Sequence, residues 1–73
     1  MRVTYDRIVD AAYVYLVPIA EGQVSKTYPC DPNEVRGQIN LDFDSSGRLV
    51  GLEILDASRL LPLELLREAE LLS

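Results

Sequence analysis

Residues 38–55, QINLDFDSSGRLVGLEIL, decide how this chain folds. Ile39, Leu41 and Phe43 alternate with Gln38, Asn40, Asp42 and Asp44, the period of a strand with one buried face. Beyond Asp44-Ser45-Ser46-Gly47, an apolar face resumes with Val50, Leu52 and Ile54. Asp and Ser capture nearby backbone groups, and Gly47 takes positive φ without a Cβ penalty, so these four residues read as the loop of a hairpin. That loop sets Phe43 opposite Arg48, Leu41 opposite Val50 and Ile39 opposite Leu52. A one-residue slip would set Ile39 against Glu53, so the pattern itself selects the register. Glu53 stands in an otherwise apolar strand. An unpaired buried carboxylate is costly, so a hydrogen-bonding partner is expected for it, with Gln38 opposite.

The same stretch matches a calcium loop in spacing: Asp42-x-Asp44-x-Ser46-Gly47, five residues, then Glu53. That chemistry needs hard oxygens converging on one ion. An entering helix would run through Pro32 and Gly37, however, and the approach alternates with period two. In the hairpin, Asp42 lies opposite Leu49, four residues from Glu53, roughly 13 Å at ~3.3 Å per residue. The hairpin is therefore the preferred reading, and no metal site is assigned.

Moving outward, residues 2–5 form a short strand with Val3 and Tyr5 on one face. Asp6 and Asp10 bracket a turn, where carboxylates accept from backbone amides. Residues 11–17, AAYVYLV, are β-branched and aromatic, apolar on both faces, and suit a central strand that Pro18 ends. The Tyr13/Tyr15 pair lacks the surrounding cations of a nucleobase-stacking platform, so packing is the expected role. Glu21-Gly22 makes the next turn, and residues 23–28 a third strand with Lys26 on an exposed edge. Residues 29–34 read as a surface loop. Cys30 has no histidine anywhere in the chain to activate it and reads as a bystander thiol.

Residues 56–60 form a turn or short helix. Pro62 opens a final helix over 62–72, with Glu64 at its positive end. Glu68 and Glu70 oppose the dipole at the other end, so fraying is expected there. Leu61, Leu65, Leu66, Ala69 and Leu72 share one helical face, directed at the sheet. Leu60, Leu63 and Leu71 fall outside that face and mark a second contact surface, a subunit interface. The fold expected is one α+β domain over residues 1–73. It is a small antiparallel β-meander of four to five strands (2–5, 11–17, 23–28, 38–44, 48–55) with one C-terminal α-helix packed on the sheet.

A chain of 73 residues buries only ~60% of the surface its unfolded form exposes, so self-association, with a dimer foremost, is the expected supplement. One cysteine excludes an internal disulfide, and no cysteine–histidine cluster offers a zinc site. The charged start carries no signal-peptide pattern, and no run reaches the ~20 apolar residues of a membrane span, so a cytoplasmic setting without membrane contact is expected. Net charge is −5 with seven scattered basic residues. This disfavours direct nucleic-acid binding and suits a basic protein partner.

Tyr5-Asp6, Asp10-Ala11-Ala12-Tyr13-Val14, Asn40-Leu41-Asp42-Phe43-Asp44 with Gly47, Leu49 through Leu55, and Ala57-Ser58 together carry a family resemblance. In these motifs the chain resembles the small prokaryotic proteins filed as domain of unknown function 2283. The resemblance implies a small α+β domain without established activity or agreed catalytic residues. It also implies an antitoxin-like role, since some members are suspected partners of compact toxin-like proteins. The function expected is thus a non-enzymatic protein–protein interaction module without a cofactor. It would use Leu60, Leu63 and Leu71 and pair with a small basic toxin. The alternative is a carboxylate-based metal binder or enzyme using Asp6, Asp10, Asp42, Asp44 and Glu53, which requires two of these groups to meet.

Overall fold

A computed structural model describes residues 1–73. Six strands form one mixed sheet: β1 (Arg2–Asp6), β2 (Ala11–Tyr15), β3 (Lys26–Pro29), β4 (Ile39–Phe43), β5 (Leu49–Leu55) and β6 (Glu70–Leu71). Three short helices accompany them: α1 (Pro32–Val35), α2 (Ala57–Leu60) and α3 (Leu63–Glu68). The strand order is β3-β4-β5-β2-β1-β6. Neighbours pair antiparallel except β1 with β6, which run parallel. The α+β class holds. The expected meander of four to five antiparallel strands with one C-terminal helix does not.

The largest correction concerns the chain's end. Instead of one helix over 62–72, α3 stops at Glu68 and Ala69 turns extended. Glu70 and Leu71 then pair with Thr4 and Tyr5 of β1. The fraying that Glu68 and Glu70 invite goes further than a loose last turn. The open edge of β1 offers the released backbone a ladder: Leu72 N–H donates to the Tyr5 carbonyl at 2.9 Å, and Arg2 clasps Glu70 at 2.9 Å. A satisfied strand edge outcompetes four more residues of helix, in which the charge of Glu70 would oppose the dipole.

The central hairpin forms, but with a different register. Asp44 N–H donates to the Arg48 carbonyl, and Gly47, at φ 82°, donates to the Asp44 carbonyl. The loop is thus the three residues Ser45 to Gly47 with glycine in the left-handed position, a standard three-residue hairpin connection. Phe43 faces Leu49, Asp42 faces Gly51, and Val50 is the extra residue of a bulge. Loop and bulge together move the pairing by two positions. Leu41 therefore meets Leu52 instead of Val50, and Ile39 meets Ile54 instead of Leu52. An even shift keeps every side chain on its expected face, and for that reason the hydrophobic alternation alone cannot detect it.

Smaller differences follow from single residues. The third strand starts at Lys26, not at residue 23, because the Glu21-Gly22 turn extends to Gln23, which closes back on Ala20 through both backbone and side chain. Residues 29–34 do not remain a loop. Asp31 accepts from Asn33 N–H at 2.9 Å and Pro32 fills the first turn, so α1 forms from a start signal readable in the sequence. β2 ends at Tyr15, two residues before the expected strand end. It does occupy the centre of the sheet, between β1 and β5.

The core lies on one face. Ala12, Val14 and Ile54 of the sheet meet Ala57 of α2 and Leu66 of α3, with Val3, Tyr5, Ile39, Leu52, Leu60 and Leu61 packed around them. Only eight residues are buried. A core this thin makes the polar contacts described next important for holding distant segments together.

Candidate functional site: anchored carboxylates and an apolar corner

Each acidic residue singled out from the sequence can be followed to its partners. Asp6 closes its own turn, accepting from Ile8 N–H at 2.9 Å, and also receives the Ser73 hydroxyl. These donors, the Ser73 hydroxyl foremost, hold its pKa below the usual carboxylate value. Asp10 sits at φ 56°, a left-handed conformation that Asp tolerates better than most residues. Its Oδ1 accepts from the Tyr5 hydroxyl at 2.6 Å and from Ser58 N–H at 3.0 Å, and its Oδ2 takes the Ser58 hydroxyl at 2.7 Å. The Asp10 carbonyl accepts from Ala57 N–H at 3.0 Å.

Asp10 therefore caps α2 from 48 residues away. Asp56, the residue at the cap position, makes no side-chain cap bond. The Tyr5 hydroxyl is the main cause of Asp10's lowered pKa, with Ser58 second. The same bond raises the pKa of Tyr5.

Asp44 serves the hairpin loop, accepting from Ser46 N–H, the Ser46 hydroxyl and Arg48 N–H at 2.8–3.0 Å. The Arg48 amide is the largest cause of its lowered pKa. Glu53 does find a partner, as expected, but it is Asn40 rather than Gln38. The register shift places Asn40 opposite, and its Nδ2 donates at 2.8 Å.

On the sheet face away from the core, Asp42 accepts from the Tyr13 hydroxyl and, at 2.6 Å, from the Thr27 hydroxyl, joining β2, β3 and β4. Burial, with the Asp42 bond second, raises the Tyr13 pKa well above that of a free phenol. The Tyr13 ring crosses Gly51 so closely that a Cβ there would stand 2.7 Å from Tyr13 Cε1, which explains glycine in the middle of β5. Tyr15 stacks obliquely on Tyr13, centroids 4.6 Å apart, and carries Arg2 over its ring at 4.8 Å.

The five carboxylates are thus distributed over a turn, a helix start, a hairpin loop and two sheet positions. No three acidic, histidine or cysteine side chains converge in a metal-binding group. Asp42 and Glu53, the first and last positions of the calcium-like spacing, bond to different partners, Tyr13 and Thr27 for one and Asn40 for the other.

The leucines behave differently. Leu60 turns inward, its Cδ1 filling the space a Cβ at Gly37 would need, and packs against the core. Leu63 and Leu71 are 57% and 51% exposed, and both line a depression of about 360 Å³ with Tyr5, Arg7, Ser58, Leu66 and Arg67. Leu72 follows, also exposed. The turn after β1 adds exposed Ile8 and Val9 at the same end, where Arg7 Nε donates to the Ser73 carbonyl. Sequence reasoning flagged Leu63 and Leu71 but not Ile8 and Val9. Two adjacent aliphatics inside a turn, where burial is unusual, were the available signal.

These features define a small α+β protein on a mixed sheet, its carboxylates bound up in the fold and an apolar corner at the β1/β6 edge. The chain belongs to the family described as "Protein of unknown function (DUF2283)", whose model matches residues 2–58. That match ends at Ser58, the residue Asp10 holds, so α3 and β6 lie beyond it. Neither curated proteins nor solved structures gave a match. No helix is long and apolar enough to cross a membrane.

Proposed function

We propose that this chain is a non-enzymatic protein–protein interaction module whose contact surface is the apolar corner around Leu63 and Leu71. One observation carries the reading. Of the ten large hydrophobic residues left exposed, five (Ile8, Val9, Leu63, Leu71 and Leu72) gather at this end of the β1/β6 edge. Exposed apolar residues scattered singly need no explanation, but two leucines lining one depression, with three more exposed aliphatics within two residues of its lining, mark a surface meant for covering. The acidic balance of −5 favours a basic partner. With the family resemblance, this supports an antitoxin-like role in which the chain holds a compact basic protein.

The carboxylate-based alternative gains no comparable support. General acid–base work needs two carboxylates close enough to drive their pKa values apart. Here Asp6, Asp10 and Asp44 have pKa values lowered by donors, as befits structural acceptors.

Co-expression with the product of the adjacent gene, followed by affinity capture at low and high salt, tests the reading. The expected result is a stoichiometric complex that Leu63→Asp disrupts. A chain that emerges alone in every such capture contradicts it.

A further inference from the structure

Two of the three exposed charges of α3, Glu64 and Arg67, stand in a self-complementary arrangement, with Glu68 as the third. Glu64 lies in its first turn and Arg67 in its last, three residues apart, with Leu63 exposed beside them. Such spacing commonly supports an ion pair along one helix, yet neither residue takes part in any of the chain's ion pairs, Arg2–Glu70 and Arg59–Asp56. Arg67 instead lines the apolar depression with Leu63 and Leu71. Two copies of α3 laid antiparallel about a two-fold axis would bring Glu64 of each against Arg67 of the other, and Leu63 and Leu71 would fill the space between. A two-fold contact is self-complementary by necessity, and this corner satisfies that requirement in both charge and apolarity.

Scale agrees as well. A specific interface covers at least ~1,000 Å² in total, ~500 Å² from each copy, about a tenth of the 5106 Å² of this chain's surface. Five exposed aliphatic side chains and the rim around them can supply that. The opposite edge of the sheet is less suited, since β3 carries Lys26 and ends in Pro29, which has no amide to donate to an added strand.

We infer that the apolar corner is occupied by a second copy of this chain, paired about a two-fold axis that apposes the α3 helices antiparallel with reciprocal Glu64–Arg67 contacts. This rests on the interaction-module reading above and names the resting occupant of that same surface, which a basic partner would displace.

Charge reversal tests the geometry directly on the isolated full chain, with molar mass measured by sedimentation equilibrium. The wild type is expected to dimerise. Glu64→Arg leaves two cations on α3 beside Glu68, and Arg67→Glu leaves three anions, so in each variant alone the apposed 64 and 67 positions carry like charge and should repel, weakening the dimer by at least ~10-fold. Mixed in equal amounts, the two variants should form a heterodimer, because both reciprocal contacts become attractive. Melting curves for each variant confirm that the exposed substitutions leave the fold intact. A wild type that stays monomeric overturns the inference, and so does a mixture that associates no better than its components. Neither result bears on capture of a basic partner, so the broader reading fails or survives on its own experiment.

Discussion

In residues 2–58 the polar side chains work inward. Asp10 collects Tyr5 and Ser58, Asp44 closes the hairpin loop, and Asp42 links Tyr13 to Thr27. In residues 59–73 the arrangement is reversed. Only Leu66 is buried, while Leu63, Leu71 and Leu72 face outward beside Glu64 and Arg67. The first region uses groups that resemble chemical machinery as fasteners for a thin core. The second leaves exposed the material that ordinarily builds a core. A cluster of acids is thus a weaker guide to activity here than a surplus of leucines is to contact.

Substitutions can break that contrast, beginning with the largest effect. Ile54, 2% exposed at the centre of the core, should cost about 3 kcal/mol on truncation to alanine, read as a lowered denaturant midpoint. Leu63→Ala in the tail should leave the midpoint of a dilute sample within ~0.5 kcal/mol of wild type. Equal losses at the two positions would erase the distinction.

The carboxylate fasteners predict a pH signature. Asp6, Asp10 and Asp44 have folded pKa values below the ordinary 3.8. The unfolded chain therefore binds these protons more readily. Their stabilisation is complete above about pH 4 and is lost as pH falls through the lower folded values. Melting temperature should drop on that acid limb, and Asp10→Asn should both lower stability at pH 7 and flatten the limb. An acid limb unchanged by the substitution would show that Asp10 is no fastener.

Tyr13→Phe sharpens the comparison on the sheet face, removing one hydrogen bond for about 1 kcal/mol. The raised Tyr13 pKa adds a spectroscopic check, since of the four tyrosines both Tyr5 and Tyr13 are raised and Tyr13, the more strongly shifted, should ionise last in an alkaline absorbance titration of the folded protein. Because the folded pKa lies above the unfolded value, this stabilisation is present below pH ~10 and lost as pH rises through the folded value. In Tyr13→Phe the last step should vanish while that of Tyr5 remains.

Much of the fold was legible in local pattern. The hairpin at 38–55, the central position of 11–15 and the turn at Glu21-Gly22 follow from alternation and turn chemistry, and they stand where the sequence puts them. Elements that depend on distant partners were not legible. β6 exists because the β1 edge, some 65 residues earlier, is open to it, and no local propensity of Glu70-Leu71 signals a strand. The hairpin register shifted by two because the three-residue loop and the bulge at Val50 each move it by one, and together they preserve the alternation that register prediction relies on. Asp10 looked like an acceptor for neighbouring amides, and only the fold reveals that Ser58 is its main donor of backbone and side-chain bonds. Leu60 looked as free as Leu63 until Gly37 proved to be the space it fills.

Amide chemical shifts followed as the concentration of the isolated chain is raised compare the two regions in a single measurement. The account predicts progressive changes confined to Arg7, Ile8, Val9, Leu63, Glu64, Arg67, Leu71 and Leu72, with the hairpin at 38–55 undisturbed. Shifts centred on Tyr13, Asn40, Asp42 and Glu53, or none at any concentration, would contradict it.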